Sequence, residues 1–323
     1  MASSDRKTSK LTRAAQRPES EMPVEWIEIP IFIHGMNSSE YPLTGEDQYR
    51  ELLSRLSKAM GDQGPGFSQN ALFITWGVPT DQSNTNDQYL AEVERKIEAR
   101  VKKTMGNAYG GVFGLYALAR DMLFFGISDV SYYLSADGER ALRSHVFGHV
   151  GRSLKEMDKT VRRQYSLTFF GHSAGSLISH DLLFHLFGSK DQTPRGEGAV
   201  FDEMEELRGM VQEGRLRVRH LYTFGSPISP LILRSDSLIE RFRRDQLLRP
   251  EEIGLRDDPL LPRPRWVNFW TRHDVASYPV AFLYDNPAGL IQDVEIRSSL
   301  SPVSAHLGYW RSDEMAAAIA RTF

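Results

Sequence analysis

The chain has 323 residues, 41% of them hydrophobic and 25% charged, which is ordinary globular usage and excludes collagen-like, fibrous and wholly disordered classes. A formal net charge of −3 argues against a global positive field for nucleic acid or anionic lipid, although transient contact with a membrane surface stays open. With no cysteine there is no disulfide, thiolate metal site or cysteine nucleophile, so any nucleophile is an oxygen or an amine.

Residues 1–24 are polar and mixed in charge, without the apolar core of a secretory signal, and read as a disordered tail in a cytoplasmic protein. Residues 25–323 read as one α/β domain with insertions. Trp26 to Gly35, "WIEIPIFIHG", is β-branched and apolar and stops at a glycine, as a buried strand does. Tyr49, Leu52, Leu53, Leu56 and Met60 then recur at helical spacing before Gly61, a C-terminal stop. "ALFITWG" (Ala71 to Gly77) predicts a second short strand.

A stretch of about 90 residues separates this strand from the next, far more than one crossover helix needs, so an insertion is expected at about 78–136. It holds a charged helix near Asn86 to Lys103 and an apolar, glycine-broken run from Gly111 to Ile127. Arg120 and Asp121 keep that run below the roughly 18 apolar residues of a membrane span. A buried segment is the simpler reading of the run, a lid the sharper one. A helix from about Asp137 to Arg163 leads out of the insertion.

From Leu167 the alternation resumes: a strand, a helix over Ala174 to Phe187, a charged helix near Asp202 to Gln212, and the strand Arg217 to Gly225. A Pro- and Arg-rich second insertion at about 228–265 follows, then the strands "WVNFW" (Trp266 to Trp270) and "DVEIRSSL" (Asp293 to Leu300), and a final helix after Ser312. Strands alternating with helices predict a mostly parallel sheet covered on both faces, with the insertions as candidates for a cap or lid.

At the junction of the Leu167 strand and its helix stands Gly171-His172-Ser173-Ala174-Gly175, which fits G-x-S-x-G. So sharp a turn excludes a Cβ two residues on either side of the serine and forces Ser173 towards positive φ, a strain of order 1–3 kcal/mol. A serine hydroxyl needs a base within hydrogen-bond reach and a third group to orient that base. In a doubly wound sheet these arise from loops at the carboxyl ends of later strands.

Of nine histidines, His220, His273 and His306 follow the serine and its helix. His220 lies inside a strand and His273 adjoins the best acid, so His306, in a loop before the last helix, is the expected base. Asp274, just beyond "WVNFW", is the expected acid; Asp236, Asp257, Asp258 and Asp285 are its competitors. For the oxyanion of a tetrahedral intermediate, one donor is the N–H of Ala174 at the helix start. The other comes from His34-Gly35-Met36 after the first strand, through the N–H of Met36, with Asn37 next in line. The basic stretches "RLRVR" (Arg215 to Arg219) and "RFRRDQLLR" (Arg241 to Arg249) have balancing acids nearby and read as solvated faces; no Walker or dinucleotide glycine loop occurs.

With these motifs in this order, the chain resembles the serine hydrolases of the α/β-hydrolase superfamily, over roughly Trp26 to Phe323 outside the insertions. "TFGSPIS" and "AHLGYW" are further echoes of lipase-like and esterase-like members. The resemblance implies a Ser173, Asp274, His306 triad, no metal and no cofactor, and acyl-enzyme chemistry on a small acyl ester or lipid. Acyl transfer or thioester cleavage on the same fold, or a non-catalytic interaction protein, are the alternatives.

Overall fold

The computed structural model describes residues 26–35, 45–61, 67–74, 76, 96–97, 99–101, 103–104, 136–159, 163–188, 199–231 and 236–323. Six strands form one sheet: β1 (Trp26–Ile33), β2 (Leu72–Ile74), β3 (Gln164–His172), β4 (Leu216–Phe224), β5 (Trp266–Trp270) and β6 (Ile291–Glu295). Their order is β2-β1-β3-β4-β5-β6, and every neighbouring pair is parallel. The helices are α1 (Gly45–Met60), α2 (Ala136–Asp158), α3 (Ala174–Phe187), α4 (Ala199–Gln212), α5 (Ile228–Leu231), α6 (Asp236–Arg243), α7 (Pro302–Leu307) and α8 (Asp313–Ala320).

Parallel strands buried on both faces must present apolar side chains up and down, and the alternation in β1 shows the division. Ile29, Ile31 and Ile33 join Leu167, Phe169 and Leu221 in the core under α2, α3 and α4. Phe32 faces the other way and stacks on Phe170 at 4.6 Å, which stacks on Tyr222 at 5.2 Å, within the core closed by α1 and α8. Each such fully buried large side chain contributes roughly 1.5–3 kcal/mol. α1 turns Tyr49, Leu52 and Leu56 to this core, begins with Glu46 and Asp47 and has Lys58 in its last turn, in keeping with the helix dipole. α3 is apolar nearly all round because it is buried between the sheet and other helices.

The register fixes where the loops emerge. Ile33, Gly171, Thr223, Asn268 and Asp293 form one row across the sheet. The segments that follow β1, β3, β4 and β5 therefore leave the sheet at a common edge. Moreover, the chain builds outward from β1 through β2 on one side and from β3 to β6 on the other. The crevice between the ends of β1 and β3 is the topological switch point, where open α/β sheets bind ligands.

Several boundaries differ from the sequence expectation. The last strand starts at Ile291, two residues earlier, and stops at Glu295, because its ladder follows the five residues of β5. β2 is cut to three residues, those that pair with Ile31 to Ile33. His306 lies in the six-residue helix α7 and not in a loop; Pro302 is at its start and Gly308 follows its end.

The described part of the 228–265 insertion packs Leu248, Ile253 and Leu255 into the core beside α3. Its Arg241 donates from Nη1 to both carboxylate oxygens of the buried Glu252, at 3.0 and 3.1 Å. The tail at 1–24, the Gly111 to Ile127 run and nearly all of 78–136 lie outside the described residues; Lys96, Ile97, Ala99 to Val101 and Lys103 are helical, as expected. No helix among the described residues is long and apolar enough to cross a membrane.

Candidate active site

Ser173 sits between β3 and α3 with φ 52° and ψ −125°, one of two described non-glycine residues at positive φ. A conformation that costs of order 1–3 kcal/mol persists only where its surroundings enforce it. Here the Ser173 N–H donates to Phe224 O at the end of β4 (3.0 Å), and its own carbonyl accepts the N–H of Ser176 (3.0 Å).

The glycines are required by contact. A Cβ on Gly171 would lie 2.7 Å from Ser176 Cα, and one on Gly175 would overlap the carbonyls of Ile33 and His34. α3 thus crosses β1 so closely that only hydrogen fits. On the facing loop, a Cβ on Gly35 would lie 2.7 Å from Ser173 Cβ and 3.3 Å from its Oγ. The loop after β1 therefore passes directly against the serine.

That loop is anchored through His34. Its backbone N–H donates to Tyr49 Oη (2.6 Å), which in turn donates to Ile74 O (2.6 Å). Trp76 gives its indole N–H to His34 O (2.7 Å) and its backbone N–H to His34 Nε2 (3.2 Å), and the two rings stack at 5.8 Å. His34 Nδ1–H then donates to Gly35 O. Burial holds the ring neutral, with its pKa lowered to about 4. His34 is therefore a fixed strut behind Gly35. Met36 and Asn37, the expected second donors, lie outside the described residues. Ala174 is the first residue of α3, so its N–H has no carbonyl partner within the helix.

Asp274 and His306, far apart in sequence, meet: His306 Nδ1–H donates to Asp274 Oδ2 at 2.9 Å, and both side chains are buried. The other carboxylate oxygen accepts the N–H of Ala276 at 2.9 Å. Tyr309 donates to Ser277 Oγ (3.2 Å); burial, reinforced by the Asp274 charge, pushes its phenol pKa upwards. His306 Nε2 is buried and has no hydrogen-bond partner among the described residues. An imidazole whose Nδ1–H is held by a carboxylate presents Nε2 as a proton acceptor.

Two contacts bring this pair beside the serine. His172, the residue before Ser173, donates from Nε2 to His306 O at 2.9 Å, and the two rings lie 4.7 Å apart. A Cβ on Gly225, the residue after the one that accepts the Ser173 N–H, would lie 3.2 Å from the His306 ring.

The rival candidates lie elsewhere. Asp257 pairs with Arg263, Asp258 Oδ1 accepts the N–H of Leu260 (2.9 Å), and Asp285 donates its backbone N–H to Leu248 O. Asp236 begins α6. His220 is buried in β4 between Tyr222 and Phe323, with neither ring nitrogen hydrogen-bonded among the described residues and its pKa lowered by burial to about 3. Sequence reasoning missed Tyr49, Trp76, His172 and Tyr309, all of which touch the proposed groups. Protein-family models, curated proteins and solved structures offer no match to this chain, so its reading rests on its own residues.

Proposed function

We propose that the chain is a serine hydrolase of the α/β-hydrolase fold that cleaves carboxylic esters through an acyl-enzyme on Ser173. The observation that carries the reading is the strained Ser173, pressed by Gly35, with a buried His306–Asp274 pair beside it whose Nε2 has no hydrogen-bond partner among the described residues. A serine with a merely structural role has no need of positive φ, a Cβ-free neighbour and an unpaired imidazole nitrogen together.

In this reading Ser173 Oγ attacks the ester carbonyl carbon while His306 Nε2 takes its proton, and Asp274 holds the tautomer and stabilises the imidazolium. The carbonyl oxygen, now an anion, receives the Ala174 N–H at the start of α3 and the N–H of Met36. Each such donor is worth about a hundred- to thousandfold in rate. Collapse breaks the bond to the alcohol, which leaves with the His306 proton. Water then gives a proton to the same nitrogen as it attacks the acyl-enzyme, and collapse breaks the bond to Ser173 Oγ, which takes that proton back from His306 as the acid leaves.

The site is built from the ends of β1, β3, β4 and β5, the position at which this class of sheet binds ligands. The chain order Ser173, Asp274, His306 is that of the G-x-S-x-G hydrolases. The test is covalent labelling by a fluorophosphonate with p-nitrophenyl acetate turnover. Both are expected in the wild type and absent in Ser173→Ala; labelling that persists in the variant refutes the assignment.

A further inference from the structure

His172 occupies the variable position before the serine, where the motif places no demand. Its side chain is nonetheless buried, against Phe224 at 5.4 Å, Trp310 at 5.3 Å and Tyr309 at 6.0 Å. Its single described polar contact is the bond from Nε2 to His306 O. The accepting carbonyl belongs to the last turn of a six-residue helix, where backbone carbonyls have no partner within the helix. A carbonyl only accepts, so Nε2 carries the hydrogen.

We infer that His172 is a positioning residue that ties the backbone of His306 to the turn bearing Ser173, so that nucleophile and base are held as one unit. Two bonds hold His306, Asp274 at ring Nδ1 and His172 at the backbone carbonyl, while ring Nε2 has no partner among the described residues. The Asp274 bond alone leaves the ring free to follow any movement of α7, a helix too short to hold its own place by internal bonding. The His172 bond refers α7 to β3, the strand that also sets Ser173. Burial and the neighbouring His306 keep His172 well below its ordinary pKa, so the ring stays neutral and the donor stays in place at neutral pH.

The effect on rate rests on the hydrolase reading; the geometric claim does not, and the experiment separates them. Three variants of the full chain are compared with wild type. His172→Gln carries an amide N–H at about the reach of Nε2; His172→Asn is equally polar but too short; His172→Phe keeps the ring without a donor.

The first readout is the downfield proton NMR signal of His306 Nδ1–H on Asp274, which requires no turnover. It is expected in wild type and His172→Gln, and shifted or broadened in His172→Asn and His172→Phe. The second is p-nitrophenyl acetate kinetics: kcat is expected to fall about a hundredfold in Asn and Phe with KM nearly unchanged, the scale of a misplacement of about 1 Å, and to recover in Gln. If wild type shows the signal but no turnover, the hydrolase reading falls and the signal alone decides the positioning claim. An unchanged signal in all three variants overturns it, as does a Gln variant no better than Asn. If the Phe variant does not fold, the Gln–Asn pair decides.

Discussion

Replacing Asp274 by Asn tests the charge logic of the site with the smallest change of shape. In the wild type the carboxylate lies 2.9 Å from His306 Nδ1, and both groups are buried. At an effective dielectric near 20, a full charge on each would attract by about 6 kcal/mol across 2.9 Å. That attraction is absent while His306 is neutral and present once it has taken the serine proton. It therefore lowers the barrier and leaves substrate binding alone. At about 1.4 kcal/mol per decade, the loss amounts to roughly four decades in kcat. The amide also brings a tautomer problem: its NH₂ facing Nδ1 favours a hydrogen on Nε2, the nitrogen that must accept. A carboxylate-to-amide change in a serine triad costs a comparable factor, about 10⁴. The assay is kcat and KM for p-nitrophenyl acetate, with thermal unfolding as the control for folding. The expectation is a kcat lower by about 10⁴ and KM within a few fold. A folded Asp274→Asn enzyme within tenfold of wild-type kcat would refute the reasoning.

Gly35→Ala puts a Cβ 2.7 Å from Ser173 Cβ; fluorophosphonate labelling should slow by about a hundredfold, and an unchanged rate would mean the β1 loop does not bear on the serine. Acid should destabilise the fold early. His34 stays neutral when folded down to about 4 but protonates near 6.5 when unfolded, so the unfolded state binds the extra proton and about 3 kcal/mol is lost as pH falls from 6.5 to 4. His220 acts in the same direction, its pKa lowered to about 3 with no ring partner among the described residues to lose. His220→Leu should hold its stability at pH 7 and flatten the decline towards pH 5 in urea titrations; parallel slopes in variant and wild type would count against this. Glu28 has the opposite sign. Burial raises its carboxyl above 4.5 despite Thr168 and Arg219, so the folded state binds the extra proton and stability falls as pH rises through that window. Glu28→Gln should gain on wild type in Tm between pH 4 and 8, and a constant difference would contradict it.

What could be read from the sequence is what has a local cause. The serine turn is legible because its demand is steric and falls on named positions: the close approaches at Gly171 and Gly175 admit no Cβ, so the letters themselves carry the geometry. Strands buried on both faces leave runs rich in apolar and aromatic residues with few polar interruptions, and β1, β3 and β5 show them. Even the convergence of remote residues was accessible in outline, because parallel strands in register deliver their following loops to one edge, whatever the length of chain between them. Asp274 four residues beyond β5 is an example.

The limits follow from the same physics. α7 is six residues long, less than two turns, and no periodicity can announce so short a helix, which is why His306 reads as a loop residue. The partners of His34 are 15 and 42 residues away, and the bond from His172 spans 134. No residue type or spacing marks such pairs, since any buried donor is satisfied by whichever acceptor the packing brings near. His172 shows the consequence most directly. The motif leaves its position free because the turn imposes no steric demand there; the constraint comes from the far side of the sheet edge, where an unpaired carbonyl of a short helix needs a hydrogen. A variable position in a motif is thus variable only with respect to the turn, and in this fold it is the position through which the nucleophile's strand reaches the base's helix.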